Sequence, residues 1–313
     1  MLSNFIVSLE AVFPMFAIMA IGVLIRKTGL ITPPEQKRFN RIVFICCFPA
    51  MMFINLYGKD IASAMNVKLI IYAVAVILIL YAITVITVIR IEPSQKTRGA
   101  MIQAIYRSNF VIMGIPIVQN VFGRGELAMT AVVVTVIVPI FNILAVVTLE
   151  VFRGSKPDFK DILVNLAKNP IILGAVAGII SIIFSIKLPA FIENPINLMG
   201  EAATPMTLLL LGASFNFESA AKEKRNLIIC IVGRLIVFPL VGLTGAILMG
   251  FRGVALLTLV AMLAAPSAVT SYTMAQSMDS DYELAGNCVI FSSIFSCFTM
   301  FLWIFILKTM GMF

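Results

Sequence analysis

Between Lys68 and Arg90 the chain runs without a charged side chain, and apolar stretches of this kind recur along its whole length. A helix needs about 20 apolar residues to cross the hydrocarbon core of a bilayer. Charged or turn-rich breaks separate ten such runs, near residues 4–25, 39–57, 68–89, 99–122, 127–152, 162–186, 196–216, 226–250, 254–277 and 284–308. Hydrophobic residues are 61% of the 313 and charged ones 12%, against roughly 45–50% and about 25% in a soluble domain. The predicted fold class is therefore an all-α polytopic membrane protein of about ten transmembrane helices, with no room for a large soluble domain. The runs are continuous rather than alternating, which excludes a β-barrel. The first run has no basic n-region and no small-residue cleavage site, so it reads as a span and not as a signal peptide.

Ten spans put both termini on one side, and the basic residues choose which. The connections after runs 1, 3, 5 and 7 hold 15 Lys and Arg, and the opposite face holds 6. The positive-inside rule then places both termini outside a cell inner (plasma) membrane. The connection after run 9 dissents, carrying only Asp279, Asp281 and Glu283. Acidic residues weigh little in the rule, so the orientation holds. The net charge of +8 is read as cytoplasmic loops, not as a nucleic-acid surface.

Sliding the chain against itself by about 156 residues aligns Glu126-Leu127-Ala128 with Glu283-Leu284-Ala285, and Pro49 with Pro205. Arg98-Gly99 before run 4 resembles Arg252-Gly253 before run 9, and each of these runs carries a mid-span proline, Pro116 and Pro266. The expected halves are residues 1–153 and 154–313, five helices each. Five is odd, so the second half enters the membrane from the other side. Inverted repeats with helices interrupted in corresponding places are the sequence pointer to a secondary transporter whose site lies near the midplane. Met113-Gly114-Ile115-Pro116 and Ala264-Ala265-Pro266-Ser267 are the expected breaks, each freeing backbone groups that must find partners. Thr270 and Ser271 add hydroxyls just after the second.

The run Asn109-Phe110-Val111-Ile112-Met113-Gly114-Ile115-Pro116 resembles the N-T-L-V-M-G-I-P motif of the auxin efflux carrier family, which includes bacterial organic-acid permeases and the plant PIN-FORMED carriers. Pro266-Ser267, the following Val289-Ile290-Phe291 and Asn169-Pro170 also have counterparts there. The resemblance implies a scaffold domain from helices 1, 2, 6 and 7 and a transport domain from helices 3–5 and 8–10. It further implies that helices 4 and 9 cross at their prolines beside the substrate, with elevator-like alternating access. Carried over by position, Asn109, Gly114, Pro116, Pro266 and Ser267 are site candidates. The chain departs from the plant carriers in its short connection from Arg153 to Asp161. It also has Met52 where they place a serine three residues after the span 2 proline, which fits small carboxylates such as malate or malonate better than auxin itself, with auxin-like acids kept as an alternative.

A charge at mid-bilayer costs about 2.5–3.5 kcal/mol on insertion scales, so such residues face a cavity or a partner. Arg107 either pairs bidentately with a carboxylate substrate or snorkels to the cytoplasmic interface. Glu10 and Glu201 either carry a transported proton or serve as local structural partners. Arg234 is expected to snorkel, and Glu150 to be interfacial.

The chain has no His, which removes imidazole catalysis and the usual zinc ligands. The five Cys lie in apolar runs without CxxC spacing and read as small buried hydrophobes. No Walker A pattern occurs. The leading reading is thus a non-enzymatic secondary carrier of small organic anions without a cofactor, coupled to H+ or Na+ or to neither. The alternatives are a sodium-coupled symporter of another organic solute, an ion channel or an intramembrane enzyme. Expected partners are the organic anion and the lipid bilayer, with a homodimer left open and no nucleic acid.

Overall fold

The computed structural model describes residues 2–58, 66–123, 127–154, 159–215 and 217–313, without the side chains of 2–12, 113–115, 159, 161 and 217–219. The expectations for Glu10 and for the space beside Gly114 fall outside the described residues. What is described is helical, and the β pairing it contains is one isolated bridge. The helices are α1 (Leu2–Lys27), α2 (Pro33–Ile42), α3 (Phe48–Leu56), α4 (Val67–Ile91), α5 (Gln95–Tyr106), α6 (Phe110–Phe122), α7 (Leu127–Val151) and α8 (Phe159–Lys168). There follow α9 (Pro170–Ile183), α10 (Ala190–Ser214), α11 (Phe217–Lys222), α12 (Lys224–Val232), α13 (Phe238–Leu248), α14 (Gly253–Ala264), α15 (Thr270–Ser277) and α16 (Tyr282–Thr309).

Each of the ten apolar runs holds a helix or a helix series. Six helices, Pro33–Leu56 and Lys224–Leu248 counted whole, are long and apolar enough to cross a membrane among the described residues. A seventh span results if Ile162–Lys168 and Pro170–Ile183, bent by 61° at Asn169, are taken together. The bend differs from the single span expected over 162–186. Asn169 caps the new helix by accepting the Ile171 N–H, and Pro170 occupies its first position, where a missing N–H costs nothing.

Two long helices carry a π turn just before a proline, at Val43–Cys47 ahead of Pro49 and at Gly233–Val237 ahead of Pro239. Proline cannot donate to the carbonyl four residues back, so the ladder slips by one residue to pass it. At the second site the carbonyl four residues before the proline is that of Leu235, and the indole Nε1 of Trp303 donates to it at 3.0 Å.

Two apolar clusters organise the interior. One is built by α4–α7, α12–α14 and α16. The other joins α1, α3, α9 and α10 with the π turn before Pro49, and packs against α15 and one face each of α7 and α16. Within the second cluster helices meet backbone to backbone. A Cβ placed on Gly22 would collide with the Leu209 carbonyl, and one on Gly212 with the Met19 carbonyl. Such close approach is how helices gain packing where lipid offers no hydrophobic drive between them.

A polar seam joins α2 to α15. The amide of Gln36 donates to the Leu210 carbonyl and the Tyr272 hydroxyl, both at 2.8 Å, and the Thr273 hydroxyl donates to Asn40 Oδ1 at 2.7 Å. The acidic connection that dissented from the charge rule lies against a basic one. Lys96 pairs with Asp279 at 2.9 Å, and the Ser280 hydroxyl donates to the Lys96 carbonyl. The connections after runs 3 and 9 therefore share one face.

Candidate functional site

The two broken helices meet at their breaks. Helix α5 stops at Tyr106 and α6 starts at Phe110, leaving Arg107, Ser108 and Asn109 between the two helices. Helix α14 stops at Ala264 and α15 starts at Thr270. The two irregular segments cross and pair with each other. The Asn109 N–H donates to the Pro266 carbonyl at 2.8 Å, the Ala268 N–H to the Arg107 carbonyl at 3.2 Å, and Ser108 and Ser267 form an antiparallel bridge. Backbone groups freed inside a membrane must be satisfied by protein or water, and here each break supplies the other.

The second break falls where the sequence placed it. Proline disfavours helical backbone in the residue before it, and Ala265 is extended at φ −61°, ψ 152°. The first does not. Helix α6 continues through Gly114 and Pro116, so the break expected at that motif lies seven residues earlier. One proline inside a membrane helix removes a single hydrogen bond, which neighbours can compensate. At 107–109 three consecutive polar residues offer the backbone alternatives to helical pairing, and a second chain segment lies within reach.

Two guanidinium groups are buried at the crossing. Arg234, fully buried, was expected to snorkel; instead its Nε donates to the Ala265 carbonyl at 2.8 Å. Its Nη1 donates to the Ile105 and Tyr106 carbonyls, at 3.1 and 2.9 Å, and its Nη2 to those of Met262 and Leu263. These acceptors are the last carbonyls of α5 and α14, which have no partner within their own helices. The need of both helix ends for donors overrides the pull toward the interface.

Arg107 is 2% exposed. Its Nη2 donates to Thr270 Oγ1 at 2.6 Å and to Asn142 Oδ1, and its Nη1 to Gln103 Oε1 at 3.3 Å, Ser271 Oγ at 3.4 Å and Met274 Sδ at 3.0 Å. All of these partners are uncharged. Of the two readings of Arg107 from sequence, snorkelling does not occur.

Arg107, Ser108, Asn109 and Thr270 line a cavity of about 250 Å³, bordered also by the start of α6, by Asn142 of α7, by Asn55 of α3 and by Gly200, Glu201 and Thr204 of α10. Asn109 stands at the N-cap of α6 without capping it, its amide only 3.9 Å from Met15 Sδ. The Ser108 hydroxyl is buried with no hydrogen-bond partner among the described residues. A fixed cation, a free hydroxyl, an amide and the unpaired N–H groups of a helix N-terminus thus face one space, a donor set suited to an anion.

The other residues singled out from sequence divide. Ser271 stands behind Arg107, and Pro266 contributes its carbonyl to the crossing. The Ser267 hydroxyl donates to the Ala104 carbonyl at 2.7 Å and its N–H to Ser292 Oγ at 3.0 Å, so Ser267 braces the crossing without reaching the cavity. Pro116 is not among the lining residues, whereas Glu201 is. Sequence reasoning missed Gln103 and Asn142. Asn142 had a signal, as a lone amide in the apolar run 127–152.

Relatives share this chain's extent. An uncharacterized transporter of Methanothermobacter thermautotrophicus is 23% identical over 304 residues, 96% of this chain and 98% of its own. One from Methanocaldococcus jannaschii is 22% identical over 308 residues, covering 96% and 99%. The family model described as "Membrane transport protein" matches residues 7–304. With breaks, crossing and cavity in a chain that this model covers almost end to end, the protein belongs to the membrane transport protein family, that of the auxin efflux carriers.

Proposed function

We propose that this chain is a secondary carrier of small organic anions, with carboxylates such as malate or malonate as the substrate class, working by elevator-like alternating access. One observation carries the reading. Arg107 is a buried cation on a cavity wall whose protein partners are all neutral. A charge held at that depth costs several kcal/mol unless an opposite charge meets it, and a carboxylate supplies one in bidentate geometry.

Other features support the mechanism. The bridged residues Ser108 and Ser267 stand 159 apart, close to the offset of the sequence matches, as two inverted five-helix repeats require. The two apolar clusters fall roughly along the division into a scaffold of helices 1, 2, 6 and 7 and a transport unit from the rest. The cavity lies between them, with α3 and α10 on one wall and α6 and α7 on the other.

Counterflow in proteoliposomes tests the proposal. Saturable exchange of a labelled dicarboxylate is expected, and conductance at channel rates would contradict a carrier. Asn109→Ala should weaken binding of the exchanged anion by about 1–3 kcal/mol, the scale of a buried polar partner left unpaired. An unchanged affinity in that variant would exclude Asn109 from the site. Glu201, the carboxylate on the cavity wall, is the proposed proton carrier. In Glu201→Gln, pH-driven accumulation should vanish while exchange persists; pH dependence that survives would remove it from the mechanism.

A further inference from the structure

Arg234 presents a different chemistry from Arg107. A guanidinium has five N–H donors, and here all five go to main-chain carbonyls at the ends of two half-helices, α5 and α14. No donor remains for a substrate, and Arg234 is not among the residues lining the cavity. The face of Phe238 covers the guanidinium carbon at 5.1 Å, adding an aromatic surface that favours a cation. The C-terminal end of a helix carries a partial negative charge, and two such ends converge on this point. In carriers driven by sodium, unwound backbone carbonyls and half-helix C-terminal ends are the groups that coordinate the ion. Here that convergence of carbonyl oxygens is filled by a cation that belongs to the chain.

We propose that Arg234 is the resident cation of the crossing, a built-in replacement for a coupling ion, so that the crossing is assembled without sodium and draws on no sodium gradient. A tethered guanidinium cannot exchange with bulk solution, so its occupancy is independent of either compartment. The consequence for coupling rests on the carrier reading above. The test of the site does not, because it reads stability in place of transport.

Purified protein in detergent is melted in sodium chloride and in N-methylglucamine chloride at equal ionic strength. The wild type should melt at the same temperature in both. A sodium-dependent rise of the wild-type midpoint would overturn the proposal. Arg234→Ala should melt several degrees lower, and millimolar guanidinium or sodium should restore part of the loss by binding the vacated carbonyls. Failure of guanidinium, sodium and lithium alike to shift the midpoint of a folded Arg234→Ala would also overturn it. If that variant does not fold, Arg234→Lys supplies the second arm. A single ammonium has three donors, so an intermediate midpoint insensitive to sodium supports a resident cation, and a sodium-stabilised Arg234→Lys contradicts it.

Discussion

Arg107→Gln should abolish concentrative uptake of the transported anion and weaken its binding roughly a hundredfold, on the order of 3 kcal/mol for a charge-assisted contact in a buried site. Gln is long enough to keep some bonds to Thr270 and Asn142, so the crossing should survive while the charge is lost. Arg107→Lys keeps a cation but not the planar fork, and a point charge recovers only part of bidentate recognition. It should fall between the two, about tenfold weaker than wild type. Equilibrium binding of the exchanged anion separates the three proteins, with size-exclusion profiles to show that each is folded. Wild-type affinity in Arg107→Gln would mean that the guanidinium is a structural group and that the anion binds elsewhere. An Arg107→Lys variant as weak as Arg107→Gln would show that geometry, rather than charge, dominates recognition.

Gly212→Val should cost the protein its fold. The helices α1 and α10 touch at Gly22 and Gly212, where each glycine faces a carbonyl of the other helix, those of Leu209 and Met19. The colliding atoms are backbone on both sides, so no side chain can swing away and the helices themselves must part. Overpacking a core costs about 1–3 kcal/mol even where neighbours can adjust. The expected result is a steep loss of monodisperse protein after detergent extraction, with Gly212→Ala already lowering the melting temperature by several degrees. Gly154→Ala is the control, since among the described residues its new methyl would meet nothing within 4 Å. If Gly212→Val melts like the wild type, the seam is not a fixed contact and the helices slide there.

The sequence was most legible where local composition decides. Long apolar runs became helices, with ends displaced by at most several residues, because the cost of an unpaired backbone in lipid leaves few alternatives. Pro266 marked its own break because the constraint it imposes falls on the adjacent Ala265. The break in the first half was misplaced for a related reason. Gly114-Pro116 looked like the stronger interruption locally, but what opens the helix at Arg107–Asn109 is a partner strand more than 150 residues away. Arg234 was misread in the same manner. Its neighbours in sequence suggest a side chain reaching for the interface, whereas the carbonyls that hold it come from two distant helix ends. Neither π turn was foreseen, although each sits directly before a proline. Asn109 was picked out by the family motif, Thr270 by its place after the second break and Glu201 as an intramembrane carboxylate, and they share one cavity. Asn142 on α7 was marked by its place as a lone amide in an apolar run, but that it and Gln103 on the last turn of α5 hold Arg107 could be recognised only once those helices were placed.

The pairing of Ser108 with Ser267 sets an order on the making of the protein. A nascent chain enters the membrane from its N-terminus, and the Arg107 carbonyl and the Asn109 N–H are inserted long before Pro266 and Ala268 exist. Until then the first half holds a helix whose open ends have no protein partner, and the carbonyls of Ile105 and Tyr106 still await Arg234. Such groups are unstable in hydrocarbon, so the half-made protein must keep this segment against water or against the insertion machinery. The fourth apolar run is therefore complete only after the ninth has been threaded beside it. A ribosome stalled ahead of α14 would leave a translation product whose first break is unsealed, a form suited to recognition by membrane quality control.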